Sequence, residues 1–251
     1  MKQTIKKLTS LFMAVCMILT AVIVAMPITA SAATNVSSWD QITSATGDYV
    51  LTSNITVPAG ATFASTFTGT LDGNGYTITV ADTMFATLGG GATLKNFKVV
   101  ASGTVDFTPV ASTVAAATSS NPIAIENVSV NVAIDTSAGV DTDDGTVASF
   151  IATVPGVTTY IEMTNCVSLG KIDSDNQVGA FIGRTNATDM TAVLIDCVNH
   201  SDVYTTNSYA GGFIGMLDTS KHTVSFTRCI NYCLDNLHII NIKCSNSKSF
   251  L

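Results

Sequence analysis

Basic residues are few in this chain. Eleven Lys and Arg stand against eighteen Asp and Glu in 251 residues, and only 12% of all residues are charged. Three of the eleven, Lys2, Lys6 and Lys7, lie in the segment 1–32, which holds no acid; the rest carries eight basic against eighteen acidic side chains, a net charge of −10. A surface of that sign does not hold nucleic acid or anionic lipid by charge. Histidine is equally scarce. His200, His222 and His238 are scattered without ligand spacing, which argues against zinc. Gly89-Gly90-Gly91 precedes no Lys-Ser/Thr pair, so there is no phosphate loop. No Pro-rich or Gly/Ser-rich linker divides the chain, and one domain is expected.

The segment 1–32 reads as a secretory signal peptide. The three lysines form a positive start, Leu11 to Ile28 is apolar until Pro27, and Ala30-Ser31-Ala32 is a small-residue cleavage motif that leaves Ala33 first in the mature chain. The apolar stretch is also long enough for a membrane anchor; Pro27 and the Ala-Ser-Ala motif favour cleavage. A secreted, extracellular or cell-surface protein with no membrane insertion after cleavage is the expectation.

Thr, Ser, Asn, Ala, Val and Gly are abundant, and they suit strands with small polar outer faces and tight turns. One pattern recurs: Leu94-Lys95-Asn96-Phe97, Ile125-Glu126-Asn127-Val128, Met163-Thr164-Asn165-Cys166, Leu194-Ile195-Asp196-Cys197 and Phe226-Thr227-Arg228-Cys229. The intervals between successive members are 31, 38, 31 and 32. A second marker keeps pace, because Phe150, Phe181 and Phe213 precede Asn165, Asp196 and Arg228 by one identical interval. Fixed periods of this length mark solenoids, whose repeats bury apolar faces only by stacking. Each repeat reads as three short strands: the Phe-Ile segment, the stretch ending at the Asn-type position, and the stretch after it.

Residues two before and one after the Asn-type position are all apolar. Strict alternation cannot turn both inward. A bend at Asn96, Asn127, Asn165 and Asp196 can, since Asn and Asp tolerate left-handed backbone. These four form the expected turn ladder, and Arg228 is a poor member of it. Asn74 stands at a shorter interval before Asn96 and marks an earlier, shorter repeat.

Cysteine numbers are uneven. Cys16 falls in the leader, leaving Cys166, Cys197, Cys229, Cys233 and Cys244, and an odd count argues against a full disulfide framework. Cys166, Cys197 and Cys229 share one repeat position and should stack as small buried hydrophobes. A bridge is permitted by distance but disfavoured, since stacked side chains point the same way.

The opening Trp39…Gly47-Asp48-Tyr49-Val50-Leu51, followed by Phe67-Thr68-Gly69-Thr70-Leu71-Asp72-Gly73-Asn74-Gly75-Tyr76-Thr77-Ile78, resembles that of secreted bacterial right-handed parallel β-helix proteins. Val178-Gly179-Ala180-Phe181-Ile182-Gly183 and Gly211-Gly212-Phe213-Ile214-Gly215 resemble the GLUG repeat of bacterial surface proteins. The similarity spans about positions 39 to 233. It implies an all-β, right-handed parallel β-helix of about six turns, and a non-catalytic, adhesin-like module with a polysaccharide or host-surface glycan as its contact. A related fold houses pectate lyases and polygalacturonases, so a lyase or hydrolase is the alternative, by fold analogy alone. The organisation expected is a signal peptide over 1–32, an N-terminal cap with its first strands over 33–66, helix repeats over 67–233, and an atypical tail over 234–251. That tail lacks the repeat pattern. It reads as a lost reading frame or a gene fragment, with a genuine cap as the alternative. A monomer is expected.

Three groups of residues are candidates for chemistry. Asp141, Asp143 and Asp144 offer oxygen ligands for Ca²⁺, although the EF-hand template fails at Gly145 and Ala152, and a solvated acidic turn is the simpler reading. Lys171, Asp173, Asp175 and Arg184 bracket one Phe-Ile strand and are the candidates for acid–base work on a polysaccharide. Tyr160, Tyr204 and Tyr209 are candidates for stacking on sugars. No cofactor other than Ca²⁺ is suggested.

Overall fold

The computed structural model describes residues 32–137, 145–206, 208–218 and 221–232. The leader up to residue 31, Asp141, Asp143, Asp144 and the tail 234–251 lie outside them. Among the described residues from Ala33 onward the chain is all-β, with one three-residue 3-10 turn at Trp39–Gln41. Every pairing between its strands is parallel. No helix among the described residues is long and apolar enough to cross a membrane.

The strands pair between repeats rather than within them. Asp48–Leu51, Thr70–Asp72, Thr93–Val100, Ile123–Asn131, Thr158–Thr164, Asp189–Ile195 and His222–Thr227 follow one another across the largest sheet. Their register places Tyr49, Leu71, Leu94, Ile125, Met163, Leu194 and Phe226 in one column. A strand that always meets its counterpart one repeat later is compatible with a parallel solenoid. Within 33–66, Asp48–Leu51 and Ile55–Val57 already pair in this register, with Thr70–Asp72 and Thr77–Val80. The stretch before Asp48 lies at the edge of the largest sheet. There Thr34–Val36 pairs with Asp48–Leu51, and buried Trp39 donates from Nε1 to the Ala61 carbonyl at 2.7 Å.

The bend at the Asn-type position is a backbone fact. Asn74, Asn96, Asn127, Asn165, Asp196 and Arg228 are the positive-φ residues other than glycine among the described residues, all between 50 and 60°. The bend lets Leu94 and Phe97, or Met163 and Cys166, both reach the core; these four are at most 2% exposed. Arg228, the poor candidate by residue type, takes the same conformation (φ 52°). Its guanidinium donates through Nε and Nη2 to both oxygens of Asp196, each at 2.5 Å.

The later repeats have five ladders where the pattern predicts three. The six-stranded sheet carries the Phe-Ile segments, from Phe63–Phe67 to Ile214–Leu217. Two three-stranded ladders are added: Ile134–Asp135 with Lys171–Ser174 and Asp202–Thr205, and Val147–Ala148 with Val178–Gly179 and Ala210–Gly211. Two-residue strands such as Ile134–Asp135 and Val147–Ala148 are too short to display a period of two. The second ladder explains the Gly-x-Phe-Ile-Gly pattern. A Cβ on Gly179 would strike the Ile182 carbonyl, and one on Gly215 the carbonyls of Gly183 and Val178. Glycine lets the two ladders approach that closely, while Phe150, Phe181 and Phe213 stack beneath at centroid spacings of 4.8 and 5.0 Å.

Candidate functional site

The ladder Ile134–Asp135, Lys171–Ser174 and Asp202–Thr205 presents a chemically varied surface. Its register sets Asp135 beside Asp173 and Asp173 beside Tyr204, and Lys171 beside Asp202. Alternation buries Ile134, Ile172 and Ser174 and turns Asp135, Lys171 and Asp173 outward. Lys171 Nζ pairs with Asp173 Oδ2 at 2.6 Å and sits 5.5 Å above the centre of the Tyr204 ring. Tyr204 is exposed. One amine, three carboxylates and one open aromatic ring thus share a face of three strands.

Protonation on this face is conventional in sign. Ser137 donates from its backbone N–H and hydroxyl to Asp135, at 3.0 and 2.6 Å. Those bonds, the hydroxyl's first, hold its carboxyl below the usual carboxylate range. The hydrogen bond to Asp173 holds the Lys171 amine above its ordinary value. At neutral pH Asp135 is ionised and Lys171 protonated.

The group Lys171, Asp173, Asp175 and Arg184 is divided by the fold. Lys171 and Asp173 form one ion pair on this face. Arg184 lies on the six-stranded sheet and pairs with Asp218, Nη2 to Oδ2 at 2.6 Å and Nε to Oδ2 at 2.8 Å. Asp175 follows the Lys171–Ser174 strand and borders Gly145. Asp135 and Asp202 are absent from that sequence grouping. The signal for Asp202 is its place one regular repeat after Lys171; Asp135 precedes Asp173 across the longest repeat, where the regular interval fails.

The aromatic candidates differ in setting. Tyr209 and Tyr204 are exposed, whereas Tyr160 is half-buried within its strand. His200 stacks flat on Tyr232, with centroids 4.4 Å apart. A shallow cavity of about 440 Å³ lies at the other end, between Trp39, Asp40, Pro58 and Phe63. Among the described residues Asp40 is the one carboxylate in its wall.

The turn-ladder residues follow one another at the corners. Asn127 Nδ2 donates to Asn96 Oδ1 at 3.0 Å, and Asn96 Nδ2 to Asp72 Oδ1 at 3.1 Å. Among the described residues no such bond joins Asn127 to Asn165. Cys166 and Cys197 are buried and Cys229 half-buried, and all three are free thiols. Burial pushes the Cys166 and Cys229 thiols up. Among the described residues no three His, Cys, Asp or Glu side chains converge on a point that could hold a metal ion. Comparison of the chain with protein-family models, curated proteins and solved structures finds no match.

Proposed function

We propose that this chain is a right-handed parallel β-helix module, secreted and displayed at the cell surface, that contacts glycans without turning them over. Parallel crossovers are right-handed in nearly all proteins, and the GLUG-like glycine pattern has a packing reason in the close approach at Gly179 and Gly215. The single observation that carries the binding reading is the exposed face of Lys171, Asp173, Asp202 and Tyr204. A pyranose presents an apolar C–H face that stacks on an aromatic ring, and hydroxyls that bond to carboxylate and ammonium groups. Three carboxylates against one amine favour neutral or amino-bearing sugars and repel polyuronates.

The alternative, a lyase or hydrolase, has one observation in its favour. Asp135 and Asp173 are register neighbours on adjacent strands, whose backbones run about 4.8 Å apart, a spacing within which two carboxyl groups can take the separation of about 5–5.5 Å used by retaining glycosidases. The ionised Asp135 and the Asp173–Lys171 pair weigh against it. The Ca²⁺ reading of Asp141, Asp143 and Asp144 is a separate proposal. There, added calcium raises Tm and Asp143→Ala removes the rise.

A glycan array run beside reducing-end and unsaturated-product assays tests the main reading. Binding without products is expected. Tyr204→Ala should weaken binding about tenfold, the scale of one aromatic contact, with Tm unchanged. Release of products would favour the enzyme, and an array with no bound glycan would overturn the binding reading.

A further inference from the structure

Three thiols on successive repeats have matching surroundings. Cys166 Sγ lies 3.3 Å from the Ile125 carbonyl and 3.5 Å from that of Thr164. Cys197 Sγ lies 3.4 Å from Met163 O and 3.5 Å from Ile195 O. Cys229 Sγ lies 3.3 Å from Leu194 O and 3.6 Å from Thr227 O. In each case one carbonyl is two residues back in the same repeat, and the other belongs to the repeat before. The flanking registers, Met163 with Leu194 with Phe226 and Val167 with Val198 with Ile230, fix the stacking. The sulfurs are therefore related by the spacing of neighbouring strands, about 4.8 Å.

That spacing selects what can join them. A disulfide needs Cβ atoms about 3.8 Å apart, so in-register side chains would have to close by about 1 Å. A cation held linearly between two sulfurs needs no such movement. At a length of about 2.3 Å, that of a zinc–thiolate bond, two metal–sulfur bonds in line span about 4.6 Å. Thiol ligands select soft cations. Cations that require three or four ligands find no convergent set among the described residues; a two-coordinate one needs only a neighbouring pair.

We propose that the Cys166–Cys197–Cys229 column is a site for a soft monovalent cation of the copper(I) or silver(I) kind, held linearly between sulfurs of adjacent repeats. One thiol bonds to the cation and releases its proton to solvent. Its neighbour donates a sulfur lone pair and keeps its proton. One positive charge enters and one leaves, so no net charge is buried, which a core of this kind requires. Cys197 belongs to both possible pairs, so the column takes one cation at a time. The Cys197–Cys229 pair loads more readily, because Cys229 is half-buried and Cys166 fully buried.

The test uses silver(I) nitrate in chloride-free buffer and the full chain with Cys16, Cys233 and Cys244 changed to serine. Bound silver is counted by mass spectrometry after gel filtration, and released protons by titration. About one silver and one proton per chain are expected. Cys166→Ser and Cys229→Ser each retain a pair and should retain the silver; Cys197→Ser removes both pairs and should lose it. Equal losses from all three substitutions, or three silvers per chain, overturn the proposal. Circular dichroism checks that Cys197→Ser is folded. Should it not be, X-ray absorption on the chain with all three thiols decides: two sulfurs around silver support the column, one sulfur overturns it.

Discussion

Left-handed backbone at six corners sets a local cost that residue type must offset. For an ordinary side chain the conformation costs about 1–2 kcal/mol; asparagine tolerates it through local hydrogen bonding. Asn127→Ala should therefore lower stability by about 1 kcal/mol, and Asn127→Gly by less, measured by urea denaturation. Arg228 has no such local relief and is held instead by Asp196. The guanidinium holds the Asp196 carboxyl below its usual value, so the unfolded chain binds the proton more readily than the folded one. The pair's contribution is present above pH about 4, the ordinary aspartate value, and is lost as pH falls through the lower folded value. Arg228→Gln should flatten the acid limb of a Tm–pH profile. High salt should do the same, because both side chains meet solvent.

At the scale of single elements, columns matter more than strands. Phe181 is fully buried between Phe150 and Phe213. Phe181→Ala should cost about 3–5 kcal/mol, and Phe213→Ala less, since Phe213 is only partly buried; thermal or urea denaturation of the two variants compares them. The Phe and Asn-type columns were legible in the sequence because each rests on one recurring residue class at one recurring interval. The short ladders were not. Lys171–Ser174 shares only its Ile-Asp pair with Ile134–Asp135, and Val178–Gly179 is two residues long. Their strand character comes from pairing with the next repeat, which no window within a repeat reveals.

At the scale of the whole molecule each sheet joins neighbouring repeats, an arrangement that in solenoids shares stability between repeats. Phe226 is 46% exposed, whereas Leu194, its register neighbour, is fully buried. Ile230 and Tyr232 are exposed as well. Fewer covered contacts mean cheaper local opening. Amide exchange should be slowest in Ile123–Asn131, Thr158–Thr164 and Asp189–Ile195, and fastest in His222–Thr227 and Ile230–Asn231. Uniform protection across these strands would contradict this.

The sequence by itself determined the all-β character, the repeat period, the positions of the bends and the residues that line the core. Each of those follows from backbone preference or apolar pattern within one repeat. Only the tertiary structure decided which charges meet. Lys171 pairs with Asp173 and Arg184 with Asp218, although proximity along the chain groups both cations with Asp173 and Asp175. Asp135 reaches the face of Asp173 and Tyr204 across the longest repeat. Such neighbours are set by hydrogen-bond register between repeats. That register depends on how each insertion closes, a non-local quantity that residue identity does not encode at either position.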